Sequence, residues 1–589
     1  MAIPLSRYFA LLGRYLRPHR GQFALLAVFL LGGIALQIVI PQVTRRVIDT
    51  ATRAATESSL ETVTLAAVTF IGLGIFQQVV ALTAVYFGEQ VAWSATNALR
   101  IDLFAHVVRL GLGFHNQTKP GALIERIDGD ISLLAEFFSQ FFIRILGSLL
   151  LTLGILIALM IEDGRSGIVF GIFALCAVGL LYRVRRVAVE PQKRVRAAYS
   201  ELAGFIEERL AGVEDIKANG AVGFVMDGLL ALHRQIGALW SRAVFTQSIF
   251  QWVSGMIVAV GYSVAFLVSY GLYEGGTLTV GGVYLLVNYM NLLNRPLTDL
   301  SQQIERLQNI SASLERVEAL MGTPPGLAEA HPTESLAIPA GALAVTFESV
   351  GFAYPNGATE ESASVLSGVS FTLAAGELLG IVGRTGSGKT TLARLLFRLY
   401  DVEAGSIRLN GVDIRRVPLS DVRGRMALVT QDVQLFEGTI RDNLTFYDLT
   451  VPDEAIRAAL AGLELDDWLR ELPAGLDTMI GAGGRGLSAG QGQLLAFGRA
   501  MLRQPDLVIL DEASSRLDPA TEARIERAVG RLLTGRTGII IAHRLATLER
   551  VDKILMMEQG QVIETGARAA LAADSASRYR HLLAVGMGG

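Results

Sequence analysis

The chain has 589 residues, too many for a single domain, and 51% of them are hydrophobic against only 18% charged. Globular chains average about 25% charged residues, so part of this one is expected to leave water. A net charge of −3 excludes a protein that coats nucleic acid, because no basic excess exists to neutralise phosphates, and the single Cys176 excludes an intrachain disulfide framework and a cysteine-based zinc site.

The apolar excess is concentrated in uncharged runs. Gly21 to Thr44 has 24 residues without a charge and Thr62 to Gly88 has 27; a spanning helix needs about 20. Ile145 to Ile161 and Ser166 to Tyr182 have 17 each and flank the polar turn "EDGRS", the pattern of a helical hairpin through the bilayer. Ala243 to Tyr273 adds 31 and Gly275 to Asn294 adds 20. The expectation is six spans.

Lys and Arg placement sets their orientation. Arg7, Arg14, Arg17 and Arg20 precede the first span, and "RVRRVAVEPQKRVR" follows the fourth. The turns after the third and fifth spans carry only Arg165 and no basic residue, respectively. Arg45, Arg46 and Arg53 after the first span run against this trend. The balance puts the N-terminus, both long inter-span segments and everything after the sixth span in the cytoplasm of a multi-pass protein, expected in a bacterial inner membrane. Those segments, roughly 89–140 and 183–242, read as helices continuing beyond the membrane, since structureless loops of that length are uncommon. The last two spans carry Gln251, Trp252, Tyr262, Tyr270, Asn288, Tyr289, Asn291 and Asn294. Polar groups in a membrane helix face the bundle interior or water, or hold helices together.

"GTPPGLAEAHPTESLAIPAGALA" is linker chemistry. The division is a membrane domain at 1–320, a linker at 321–342 and a second domain at 343–580. In the last of these, short β-rich runs such as "LLGIVG", "MALVTQ", "LVILDE" and "GIIIAHR" alternate with helical stretches. That alternation predicts an α/β domain with a largely parallel sheet.

"GRTGSGKTT", which is Gly383, Arg384, Thr385, Gly386, Ser387, Gly388, Lys389, Thr390 and Thr391, follows an apolar strand and opens a helix. Its glycines let backbone N–H groups wrap phosphates at a helix N-terminus. Lys389 can reach the β- and γ-phosphates of ATP, and the Thr390 hydroxyl can ligate Mg2+. Asp511 ends the strand "LVILD" and can hold the metal's water shell, while Glu512 can orient or deprotonate an attacking water. Gln431 in "VTQD" can ligate Mg2+, Tyr354 in "FAYP" offers a ring for adenine, and His543 ends "IIIAH" where it can sense a γ-phosphate. "LSAGQ" (residues 487–491) looks like a second anion-facing corner.

In this order Tyr354, Lys389, Gln431, "LSAGQ", Asp511 with Glu512, "SRLD" and His543 resemble the nucleotide-binding domain of ATP-binding cassette (ABC) transporters. The spans with long cytoplasmic extensions resemble the exporter type, in which one chain is half a transporter, and the resemblance covers nearly the whole chain. It implies that Tyr354 stacks on adenine, Gln431 is the Q-loop residue, Glu512 the catalytic carboxylate, Asp518 the D-loop acid and His543 the switch histidine. It implies coupling helices at Phe114 to Asp130 and Leu210 to Ala221, which press on the nucleotide domains. It also implies a head-to-tail dimer in which Ser488, Gly490 and Gln491 meet the partner's ATP. The expected partners are a second half-transporter chain, membrane lipid and an amphipathic drug, lipid or peptide. The chain departs from the family's "LSGGQ" at Ala489. It has Gly492 and Leu494 where arginines are commoner, and Ala482 where a glutamate is usual. Such signatures resemble one chain of a heterodimeric exporter, which is favoured over a homodimer. The rival of another class is an ATP-gated regulatory or channel-like membrane protein; the intact set of Lys389, Asp511, Glu512 and His543 speaks against it.

Overall fold

The computed structural model describes residues 13–53, 60–327, 337–339, 341–355, 364–511, 519–542 and 545–586. The chain forms two compact units, one comprising the chain up to Val108 with Pro120–Thr323, the other Arg109–Lys119 with Pro324–Gly589.

The first unit is helical. With no water to bond them, backbone N–H and C=O groups in a bilayer must pair within their own segment, and the uncharged runs do so as long helices. Arg20–Arg53, Leu60–Arg109, Gly164–Ala211, Val222–Glu274 and Val280–Met321 are α-helical throughout. A further stretch, Pro120–Glu162, is continuous but takes two π-helical turns, at Glu125–Asp130 and Phe141–Leu146. Among the described residues, five of these six stretches are long and apolar enough to cross a membrane. The sixth expected span falls short of that measure. Its first five residues, Gly275 to Thr279, form the turn before the helix, and Asn288, Asn291 and Asn294 dilute the apolar stretch that remains.

The "EDGRS" turn closes as a tight hairpin. Asp163 Oδ1 accepts from the Arg165 and Ser166 amides at 2.9 and 3.2 Å, capping the next helix. The Ser166 hydroxyl donates back to the carbonyls of Leu159 and Asp163. A side chain at Gly167 would meet Met160 Cγ at 2.4 Å, so close approach demands glycine there.

Three helix ends converge on this hairpin. Arg45 donates to Glu162 at 2.5 Å and lies 3.6 Å from Asp49. Asp49 in turn accepts from the Thr279 hydroxyl at 2.8 Å and the Gly281 amide at 2.9 Å, where the Val280–Met321 helix begins. Arg45, which runs against the charge bias of the loops, thus ties the first long helix to the third and sixth. Ile155, Leu159, Phe170, Ala265, Leu285 and Leu293 form the unit's buried core. Tyr289 is fully buried among them; its hydroxyl donates to the Ile38 carbonyl at 2.9 Å and accepts from Gln42 at 3.0 Å. This member of the polar set is therefore glue between helices.

The second unit holds twelve strands among its described residues: β1 Val345–Phe352, β2 Leu366–Leu373, β3 Leu378–Gly383, β4 Ala404–Leu409, β5 Val412–Asp413, β6 Met426–Val429, β7 Gly438–Thr439, β8 Met479–Ile480, β9 Leu507–Asp511, β10 Thr537–Ile541, β11 Lys553–Glu558 and β12 Gln561–Ala567. The main sheet has the order β12-β11-β3-β10-β9-β6 and is parallel except for the β11–β12 hairpin. A separate antiparallel sheet, β2-β1-β4-β5, was not legible in the alternation of short runs. The residues of β9 and β10 are all buried, as expected for strands covered on both faces.

Asp49 makes two charge-assisted bonds across helix ends. We expect Asp49→Ala to cost about 2 kcal/mol, read as a lowered Tm of the purified protein; an unchanged Tm would mean that the convergence contributes nothing to stability.

Candidate functional site

The phosphate loop runs from Gly383 at the end of β3 to the helix Lys389–Leu396. Gly386 and Gly388 have φ of +84° and +97°, a region that L side chains rarely adopt. A Cβ at Gly383 would lie 2.3 Å from the Met557 carbonyl, so the tight turn off the strand also requires glycine. Lys389 is buried, and its ammonium donates to the carbonyls of Gly383 at 2.7 Å and Arg384 at 3.0 Å. Those bonds hold the cation over the loop. The Ser387 hydroxyl is buried without a hydrogen-bond partner, an arrangement that costs energy unless a ligand oxygen completes it. Together with a helix N-terminus, this donor set fits a nucleotide phosphate. Thr385 and Thr390 are exposed and Thr391 is buried.

The strand register brings the other candidates to the same edge. Ile541 of β10 pairs with both Ile381 of β3 and Asp511 of β9, and Val429 of β6 pairs with Leu510. Asp511, which is buried, and Gln431, exposed two residues beyond β6, therefore stand at the carboxyl ends of the strands with the phosphate loop. In open α/β sheets that edge is where ligands bind. Glu512 and Asp518 follow β9, and His543 follows β10; all three lie outside the described residues.

Tyr354 is held in place by its hydroxyl, which bonds Thr391 Oγ1 at 3.0 Å and accepts from Arg394 at 3.1 Å. Its ring meets Phe352 and Tyr400 edge-on, with centroids 5.0 and 5.2 Å apart.

The "LSAGQ" corner is a helix start of another kind. Ser488 caps the helix Ala489–Leu502 in a reciprocal box. Its hydroxyl accepts from the Gln491 amide at 3.2 Å, while the Gln491 side chain accepts from the Ser488 amide at 2.9 Å. Ser488 and Ala489 are exposed and Gly490 is buried. This helix is rooted in a core with Leu494, Leu495, Phe497, Ile440 and Leu444. The phosphate-loop helix is rooted in a different one, with Leu392, Leu395, Leu396 and residues of β1 and β2.

Family models for the ABC transporter transmembrane region and for the ABC transporter match residues 23–297 and 366–515. An ATP-dependent lipid A-core flippase of Thiobacillus denitrificans is 32% identical over 99% of both chains. The chain belongs to the ABC transporters. Among other relatives, a putative ABC transporter ATP-binding protein, exp8, of Streptococcus pneumoniae is 30% identical over 95% of this chain and 94% of that one. A multidrug efflux ATP-binding/permease protein of Mycobacterium bovis is 30% identical over 95% of this chain but only 46% of its own. The structure of a bacterial Atm1-family ABC exporter with ATP bound superposes with a TM-score of 0.81 at 26% identity, covering 96% of this chain and 98% of that one. This ABC transporter is thus an exporter-type half-transporter, an integral multi-pass membrane protein that binds ATP and hydrolyses it to drive export.

In this ABC transporter the first expected coupling segment, Phe114 to Asp130, is divided: its residues up to Lys119 group with the ATPase unit and those from Pro120 with the helical unit. The short helix Leu112–Gln117 starts two residues before the expected Phe114, and Leu112 packs against the same core as the phosphate-loop helix. Asn116 donates to the Tyr400 hydroxyl at 2.8 Å and Gln117 to the Pro355 carbonyl. Burial, with the Tyr354 ring beside it, pushes the Tyr400 phenol up. Tyr400 and Arg394 were missed from the sequence, where an aromatic after "LLFRL" reads only as core; Asn116 lies inside the expected segment Phe114 to Asp130 but was not singled out. The second segment appears as the short helix Val213–Ala218 in the helical unit.

If Tyr354 carries the adenine, Tyr354→Leu should weaken ATP binding about tenfold or more. Tyr354→Phe keeps the ring and loses only the hydroxyl bonds, so its affinity should stay within about threefold of the parent. ATP titration of both variants decides, and parental affinity in the Leu variant would remove Tyr354 from the site.

Proposed function

We propose that this ABC transporter is one half of a heterodimeric exporter that moves an amphipathic organic molecule (drug, lipid or peptide) across a bacterial inner membrane by alternating access. The observation that carries the reading is the pair of phosphate-facing corners rooted in separate cores. One is a phosphate loop with a buried lysine and an orphaned Ser387 hydroxyl; the other is a capped helix start with Ser488 exposed. Such an arrangement suits a head-to-tail dimer in which each ATP lies between one chain's phosphate loop and the other's "LSAGQ".

In this reading Lys389 and the loop amides take up charge on the β- and γ-phosphates. Glu512 orients or deprotonates the attacking water, and His543 senses the γ-phosphate. Thr390, Gln431 and, through water, Asp511 would hold Mg2+, which supplies neutralisation of phosphate charge when bound. Gly383, Arg384, Thr385, Gly386, Gly388 and Thr391 shape the loop. Leu112–Gln117, joined to Tyr354 through Tyr400, and Val213–Ala218 carry closure of the ATPase domains to the helices. The names of the flippase and multidrug efflux relatives support an amphipathic cargo. Ala489, Gly492, Leu494 and Ala482 support unequal chains, because each departs from the family pattern in or beside the "LSAGQ" corner; Ala489 is exposed there, while Gly492 and Leu494 are buried behind it.

We expect Glu512→Gln, assembled with its proper partner, to bind ATP normally while turnover falls about a hundredfold or more. Substrate flux in proteoliposomes should fall with it, and undiminished hydrolysis would sink the assignment. For the heterodimer, single-site carboxylate variants should leave unequal turnover at the two ATP sites, with the weaker site completed by "LSAGQ". Equal turnover, or full activity of the chain expressed alone, would point to a homodimer.

A further inference from the structure

The polar residues between the fourth and fifth long helices, Gly164–Ala211 and Val222–Glu274, have no part in the ATP chemistry. Gln247 pins the two helices together, accepting from Gln192 at 3.0 Å and Arg185 at 3.4 Å, and the Arg185 guanidinium lies 5.5 Å from the Phe250 ring centre. Next to this pin a crevice of about 570 Å3 opens between the helices, lined by Glu190, Arg194, Leu239, Arg242, Phe245 and Thr246 among others. Two arginines and one glutamate among its lining residues leave one net positive charge. Arg194 is 3.4 Å from Glu190, and both side chains are more than 60% exposed, so that pair is weakly held and leaves Arg194 able to turn to an anion.

The crevice has a second, apolar feature. Arg242 immediately precedes the uncharged run Ala243 to Tyr273, so the guanidinium stands on the cytoplasmic side of the fifth span. Phe245, Ile249, Trp252 and Met256 are spaced by four, three and four residues, so they share one face of the fifth helix. Their exposures are 68%, 40%, 76% and 67%. The face forms an open apolar ridge leading from the crevice into the membrane-spanning part. A free phosphate would use the arginines but not the ridge, and a neutral amphiphile the ridge but not the arginines.

We propose that this crevice binds the phosphate headgroup of an anionic membrane lipid of the cytoplasmic leaflet, with its acyl chains along the ridge. Arginine suits the role because its planar fork pairs with phosphate oxygens in two places, and basic pockets between helices on the cytoplasmic side are apt for anionic headgroups. The proposal takes its orientation from the topology above. Its readout is lipid binding rather than transport, so the two readings can fail separately.

The test is native mass spectrometry of the assembled full-length transporter, titrated with phosphatidylglycerol, with phosphatidylcholine of the same chains, and with inorganic phosphate as competitor. Phosphatidylglycerol should bind in preference. Arg194→Gln and Arg242→Gln should each weaken it about fivefold, and the double variant about thirtyfold, with basal ATP turnover unchanged. Glu190→Gln should tighten binding, a gain that a misfolded variant cannot mimic. Equal binding of the two lipids, or parental affinity in the double variant, would overturn the proposal. So would displacement of the lipid by millimolar phosphate, or a cross-link from Phe245 showing the crevice filled by the second chain.

Discussion

The ATP-facing edge depends on the parallel register of β3, β10, β9 and β6. Ile541 stands opposite both Ile381 and Asp511, so the phosphate loop and the acid arrive at the same end of the sheet although 128 positions separate Gly383 from Asp511. A slip of one residue would turn Asp511 to the other face, because side chains alternate along a strand. Close packing holds that register, since Val508, Ile509, Ile539 and Ile541 are all in the core, where each side chain must fit its own neighbours. Chemistry at this edge rests on apolar packing that itself touches no nucleotide.

The same unit connects its phosphate loop to the short helix Leu112–Gln117 through a short chain of contacts. Thr391 and Arg394 on the phosphate-loop helix hold the Tyr354 hydroxyl, Tyr354 meets Tyr400, and Tyr400 accepts from Asn116. Each link is a hydrogen bond or an aromatic edge contact. A shift of the Tyr354 ring thus has a path to Leu112–Gln117. In the helical unit, Asp49 and Arg45 do comparable work at the opposite sort of place, where three helix ends meet.

Much of this was legible in one dimension. The uncharged runs announced the helices because a bilayer leaves a backbone few other choices. The phosphate loop was legible because its glycines, lysine and threonine must be contiguous to wrap a phosphate. The "EDGRS" hairpin was legible for a similar reason, since its capping acid lies two and three residues from the amides it satisfies. The antiparallel sheet was not legible, because β1 pairs with β2 and β4 across intervening chain. Neither was the role of Tyr289, whose partners Ile38 and Gln42 lie about 250 positions away.

The sequence by itself determined the division into membrane helices and ATPase, the ATP-binding motifs in their order, and the departures at Ala489 and its neighbours. Those features are local: each is set by hydropathy, spacing or a contiguous loop. Only the tertiary structure decided that Ser488 and the phosphate loop stand on different cores, that Tyr400 joins Tyr354 to Asn116, and that Arg194 and Arg242 line one crevice. Contacts of that kind join positions from about fifty to nearly three hundred residues apart, and their partners are chosen by packing, which no local pattern records.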